Sequence, residues 1–506
     1  MRSVLLALIL FFLTCSYSEA QRTAQIEILN ANIFEGDESL GKNVSRLKGD
    51  VRFKHKNALM NCDSAYLYQN TNSLDAFGDI VIVKGDSIRM TGDLLKYNGN
   101  SSEAFMTGNV ILSDRKMTLH SDNLTYNIDN EVCNYIDGGK IVDSENELTS
   151  NSGIYDSGSG NIYFRNSVVL KNNSYQLISD TLIYNSISNI TYFHGPTWIN
   201  SFDKDSSFIY CENGWYNTNS GKSYFGRNSY LKNGPRFIYA DSLLYDKEKM
   251  EGEGFGNVLL KDTVEQLTIS GDYGISNDIN KTGFVTGNAL LTKQFDNDTL
   301  FMHADTLYAA EDTVSKLKQW QAYHQVTFFK TDLQGKCDSI AFNESDSLMR
   351  LYDDPIIWSE ENQLTADSVR FLIYDNEMKA LQLKSNSFIC SSEGEDRFNQ
   401  VKGRSMYGDF IDNKLEYIFV SGNGQSIYYT RNSDEQLTGV NRADCSDMRI
   451  RISDNRIQEI NLLYQPDATL YPLDELTTKE LRLRGFKWRS IERPFSKEDV
   501  LGSHKL

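Results

Sequence analysis

The chain has 506 residues, and at about 150 residues per domain its length suggests three or four domains. Hydrophobic residues at 40% exclude a disordered chain, while 28 Tyr and 26 Phe favour strands, and only 6 Pro leave little for linkers. A formal charge of −18 excludes nucleic-acid binding as a main role, because a polyanion would be repelled.

The first predicted element is an export signal over residues 1–20. Arg2 supplies the positive start, Val4–Leu13 is an apolar run too short to span a bilayer, and Ser18 and Ala20 are the small residues a signal peptidase reads. Cys15 follows Phe12-Leu13-Thr14, a poor match to a lipobox, so ordinary cleavage before Gln21 is the expectation. No later segment is apolar enough for a transmembrane helix.

From there a single unit recurs. Its clearest copies are Ser121-Asp122-Asn123-Leu124-Thr125-Tyr126-Asn127, Ser179-Asp180-Thr181-Leu182-Ile183-Tyr184-Asn185 and Ala240-Asp241-Ser242-Leu243-Leu244-Tyr245-Asp246. Thirteen copies can be anchored at the Asp position, from Asp63 to Asp444, spaced by 29 to 33 residues as far as Asp367 and more loosely afterwards. The residue before the anchor is always small, which implies a close contact that excludes bulk. The residue two positions after it is apolar or Gly in all copies but one, and the fourth is usually aromatic. Both lie on one face of a strand.

A second strand per unit is typified by Ala104-Phe105-Met106-Thr107-Gly108-Asn109-Val110, with a Gly-polar-apolar core that fits a bend or bulge. One such unit cannot bury its apolar face alone, but a stack of them can. The fold expected is therefore all-β, an elongated stack of ~30-residue repeats. Its boundaries are drawn as repeats over 21–310, more divergent repeats of the same type over 311–471, and a tail over 472–506. That tail is predicted to be helical through Asp474–Arg484, ended by Gly485, and basic, with eight Lys+Arg against four acids in Lys479–Leu506.

The chemistry-bearing residues argue against catalysis. Cys62, Cys211 and Cys337 share the small-residue position several layers apart, too far to pair, and read as buried thiols. His55, His120, His194, His303, His324 and His504 show no metal spacing, and no nucleophile-base motif, P-loop or CxxC occurs. No enzyme activity, metal or cofactor is expected. Each anchor Asp is read as closing a turn through its own backbone, with a divalent-cation ladder as the sharper alternative. The candidate binding residues are the apolar stripe: Leu95, Tyr97, Leu124, Tyr126, Leu182, Tyr184, Leu243, Tyr245, Ile340 and Phe342. They form plain core if the interior is filled and an acyl-chain groove if part of it stays open.

The ~30-residue units, with small-Asp-x-Leu-x-Tyr followed by Ala-x-x-x-Gly-Asn-Val, resemble the OstA-like family. It comprises periplasmic lipopolysaccharide-transport proteins of the LptA type and the N-terminal domain of the organic-solvent-tolerance protein. The resemblance is clearest over residues 25–310. It implies a β-jelly-roll of V-shaped strands and an apolar interior that takes lipid A acyl chains. It also implies a periplasmic carrier or bridge in outer-membrane assembly, with lipopolysaccharide, other transport components joined by strand-edge pairing, and an outer-membrane barrel as partners. This chain is much longer than a minimal bridge protein and is not expected to form an outer-membrane barrel itself. A structural or adhesive β-solenoid and a polysaccharide-acting parallel β-helix enzyme remain as alternatives.

Overall fold

The computed structural model describes residues 24–502 apart from 37–41, 87, 116, 157, 203–206, 375–376, 395, 412–413 and 454–455. The export signal lies outside the described residues. The described residues are mostly strand and form two compact units, Met1–Phe202 and Asp203–Leu506, within each of which strands pair antiparallel from one hairpin to the next. In the second unit one core cluster runs from Val285 to Ile452, so packing continues through residue 310.

Each repeat is built by two local devices. The first is the outer turn. Asn98 accepts from the backbone N–H of Asn100 (2.9 Å) and Ser101 (3.2 Å), and Asn127, Asp156, Asn185, Asp246 and Asn277 do the same one repeat after another. Successive turns are then hydrogen-bonded to each other, as in Ile128 N to Ser102 O at 2.8 Å and Asp278 N to Met250 O at 2.9 Å.

The second device is a bulge in mid-strand. Gly78/Asp79, Gly108/Asn109, Gly256/Asn257 and Gly287/Asn288 all have positive φ. The register slips there; Phe77 faces Leu94 but Ile80 faces Gly92. Between Lys318 and Tyr374 the same bend cuts the strands in two, at His324-Gln325 and Asp353-Asp354. The bend gives every strand two arms. The arms enclose one interior, since Val326 and Phe328 of one arm share a core with Ile340 and Leu351 of the other.

The anchor acids belong to this bulge. Asn109 donates to Asp93 (2.9 Å), Asn257 to Asp241 (3.0 Å), Asn288 to Asp272 (3.2 Å) and Asn386 to Asp367 (2.9 Å). A Cβ on Gly108 would lie 2.6 Å from Asp93 Oδ2, and one on Gly256 2.3 Å from Asp241 Oδ2. The expectation that each Asp closes its own turn is thus corrected. The carboxylate caps the bulge of the neighbouring strand, because the two left-handed residues there turn the Asn amide toward it. The small residue before each anchor sits at the inside of the bend, where a Cβ on Gly271 would meet Val285 Cγ1 at 2.5 Å. Gly108→Val combines a φ of +80° with that carboxylate clash, and should cost about 2–4 kcal/mol in urea unfolding. Asp93→Asn should cost much less.

The tail carries a short helix as expected, but at Lys497–Gly502 rather than Asp474–Arg484. Leu481 N bonds Thr477 O in a single turn, and the helix stops there because Gln400 takes the backbone of Leu481 and Leu483. The chain then runs back over the outer face of the second unit as a strap, ending in a 3-10 turn, Ser490–Glu492, and a short α-helix, Lys497–Gly502. Buried glutamines hold it in place. Gln400 Nε2 donates to Leu481 O and its Oε1 accepts from Leu483 N, both at 2.9 Å. Gln363 pairs in the same way with Lys487 O and Arg489 N at 2.7 Å. Arg493 Nε donates to Gln334 Oε1 at 2.8 Å. A carboxamide presents a donor and an acceptor side by side, so it pairs with a crossing backbone as a strand edge would. Beneath the strap lies a second core in which Phe388, Cys390, Ile427, Tyr429 and Val440 pack against Leu481, Leu483, Phe486 and Trp488.

Candidate functional site: an apolar trough in the second unit

The interior is not filled alike along the chain. In the first unit one arm presents a cross-strand row, Phe53, Met60, Ile82, Met90, Leu112 and Leu119, each at most 2% exposed. The other arm presents Leu47, Ala65, Ala76, Leu95, Met106 and Leu124, equally buried. Polar clasps join the arm tips. His55 Nε2 donates to Ala24 O (3.0 Å), which leaves Nδ1 to accept from Tyr97 OH (2.6 Å). Lys84 reaches Ile128 O and Glu131 (2.6 Å), Lys56 pairs with Asp129 (2.5 Å), and Tyr155 OH donates to Asp114 (3.0 Å). The Lys56 hydrogen bond holds the Asp129 carboxyl below the usual carboxylate range.

In the second unit the equivalent row is Ile209, Leu231, Ile238, Leu260, Ile269 and Leu291. All six are half-buried, and the row closes again only at Met302 and Phe328. The facing arm explains why. Its row reads Gly214, Phe225, Leu243, Gly254, Gly274 and Val285. The next row outward reads Ser223, Tyr245, Gly252, Ser276, Gly283 and Ala309. Gly and Ser stand where the first unit has Leu and Tyr, so the arm has too little side chain to cover its partner. Ion pairs here, such as Arg236–Asp262 and Lys293–Glu265, tie neighbouring strands within one arm. The result is an apolar trough over roughly 209–300.

The ten residues of the predicted stripe fall on both sides of this division. Leu95, Tyr97, Leu124, Tyr126, Leu182 and Ile340 are at most 2% exposed and are core. Tyr184 and Phe342 are half-buried. Leu243 (8%) and Tyr245 (36%) line the trough. Sequence reading missed its other wall, Leu231, Ile238, Leu260, Ile269 and Leu291. The signal was present: Gly214, Gly274 and Ser276 replace the large residue at the second or fourth position after the anchor.

All six cysteines within the described residues are buried and unpaired. Burial pushes the thiols of Cys62, Cys133, Cys211, Cys337 and Cys390 up to about 12. At pH 8 only on the order of one in ten thousand of these would be thiolate. The folded protein should therefore resist maleimide, as read by intact mass, and take up label on all six only when denatured. Rapid labelling of Cys62 in the folded state would contradict this.

Residues 23–180 and 165–241 match the family described as OstA-like protein, so the resemblance read from the repeat is borne out over that stretch. No curated protein matches the chain in sequence. Among solved structures it is similar to LptH of Pseudomonas aeruginosa, described as the LptA homologous periplasmic component of the conserved lipopolysaccharide transport device. Identity is 16%, over 22% of this chain and 81% of that one, with a TM-score of 0.21. A likeness of that size carries no argument. Among the described residues no helix is long and apolar enough to cross a membrane.

Proposed function

We propose that this chain is a periplasmic lipid-binding carrier or bridge of the OstA-like type, which holds acyl chains of lipopolysaccharide in the trough of its second unit. The observation that carries the reading is that all six residues of the row Ile209 to Leu291 are half-buried, whereas Phe53 to Leu119 of the first-unit row are fully buried. An acyl chain gains about 0.8 kcal/mol per methylene on burial, so roughly a dozen carbons contribute on the order of 10 kcal/mol before ordering costs. The −18 charge disfavours phosphates along most of the exterior, which supports contact through the interior. The family match supports lipopolysaccharide as the lipid. Binding rather than catalysis is the role, with transport partners joined at strand edges.

A structural role has its own support in the first unit, whose interior is clasped and filled from Leu47 to Leu124. Both roles can reside in one molecule. Purified protein should bind lipopolysaccharide and lose at least tenfold in affinity when the lipid is stripped of its acyl chains. Equal affinity for both forms would remove the trough from the account.

A further inference from the structure

The second unit carries another concavity, on the outer face where the strap lies down. Gln425 and Arg442 form its floor, Lys479, Arg482 and Arg484 of the strap its wall, and its volume is about 780 Å³. That is within the range of small-molecule sites, roughly 300–1,000 Å³. Four of these side chains are cationic in a chain of net charge −18.

Three acids lie nearby, and one of them, Glu480, is held below the usual carboxylate range first by its Thr477 hydrogen bonds and then by the Arg442 charge. Glu480 accepts from Thr477 N (2.9 Å) and Oγ1 (2.7 Å), Asp444 from Gln425 Nε2 (2.6 Å), and Asp396 from Arg482 (2.8 Å). Arg442 donates to a backbone oxygen, Glu480 O, at 3.0 Å, and Lys402 to Arg484 O at 2.8 Å. Among the described residues neither Lys479 nor Arg484 has a carboxylate within ion-pair distance. The Arg482 guanidinium is pinned by the rings of Phe398 and Phe486, each 4.8 Å from centroid to carbon. The cations are thus gathered by the fold and only partly neutralised by it.

We propose that this strap pocket binds a phosphate-bearing ligand, its phosphoryl oxygens taken by Arg442, Lys479 and Arg484 and a sugar-sized body filling the remaining volume. Arginine forks and lysine ammonium groups are the usual protein partners of phosphate oxygens. The pocket lies on the opposite face of the sheet from the trough, so the proposal does not depend on lipid binding there. The phosphate can belong to a free solute or to a lipid headgroup, and two probes separate these sources.

The full mature chain is titrated with pyrophosphate by calorimetry, and floated with phosphatidylcholine vesicles with and without phosphatidic acid. Saturable pyrophosphate binding identifies a free anion site, and flotation only with phosphatidic acid identifies a headgroup site. Either supports the proposal if the triple variant Arg442→Gln, Lys479→Gln, Arg484→Gln weakens it at least tenfold. The strap must stay docked, as read by an unchanged melting temperature. Absence of binding to both probes, or binding that the triple variant leaves intact, overturns it.

Discussion

Deleting residues 472–506 should unfold or aggregate the second unit while the first stays folded. The strap covers Phe388, Ile427, Tyr429 and Val440, all at most 5% exposed. Re-exposing each of these large apolar side chains costs about 1.5–3 kcal/mol. The sum is on the order of 10 kcal/mol, as large as the whole stability of a typical domain, about 5–15 kcal/mol. Limited proteolysis with mass mapping would read it as loss of fragments after residue 203 and survival of fragments before it. A milder variant isolates the glutamine contact. Gln400→Leu keeps the volume but leaves Leu481 O and Leu483 N without their partner, at a cost of about 1–3 kcal/mol. An unchanged melting profile for the truncated chain would show that the strap is not part of the fold.

The second large effect is on binding. Gly252 lies on the trough lining with ordinary φ, and a Cβ there meets nothing closer than Ser276 Oγ at 3.6 Å. Gly252→Trp is therefore compatible with the backbone and fills space that the proposal assigns to acyl chain. Displacing four or five methylenes at about 0.8 kcal/mol each removes roughly 3–4 kcal/mol, a loss of at least a hundredfold in lipopolysaccharide affinity. Stability should hold or rise, since apolar surface is covered. Adding Ser276→Phe should deepen the loss. Retained affinity in a stably folded variant would place the lipid elsewhere.

The repeat was legible because each of its devices is chemical and local. Asn98, Asn127 and Asn185 recur because an Asx turn needs that side chain, and Gly108-Asn109 and Gly287-Asn288 recur because two successive residues take positive φ. The partner of the anchor Asp was less legible, since Asn109 and Asp93 meet across a ladder rather than along the chain. The strap was hidden for the same reason on a larger scale. Gln363 and Arg489 are 126 residues apart, and nothing in either neighbourhood names the other. Local pattern at Asp474–Arg484 favoured a helix, and tertiary contact with Gln400 overrode it. The trough was half-visible. The apolar stripe marked Leu243 and Tyr245, but openness depends on what the opposite arm lacks, and Gly254 and Gly274 became informative only once the register was known.

The difference between a filled and an open interior is tested most directly by site-specific photo-crosslinking in living cells. A photoreactive residue at Leu260 or Ile269 should capture lipopolysaccharide, whereas the same residue at Leu112 or Leu119, in the equivalent row of the first unit, should capture none. Equal capture at all four positions, or capture only at Leu112 and Leu119, would contradict the account.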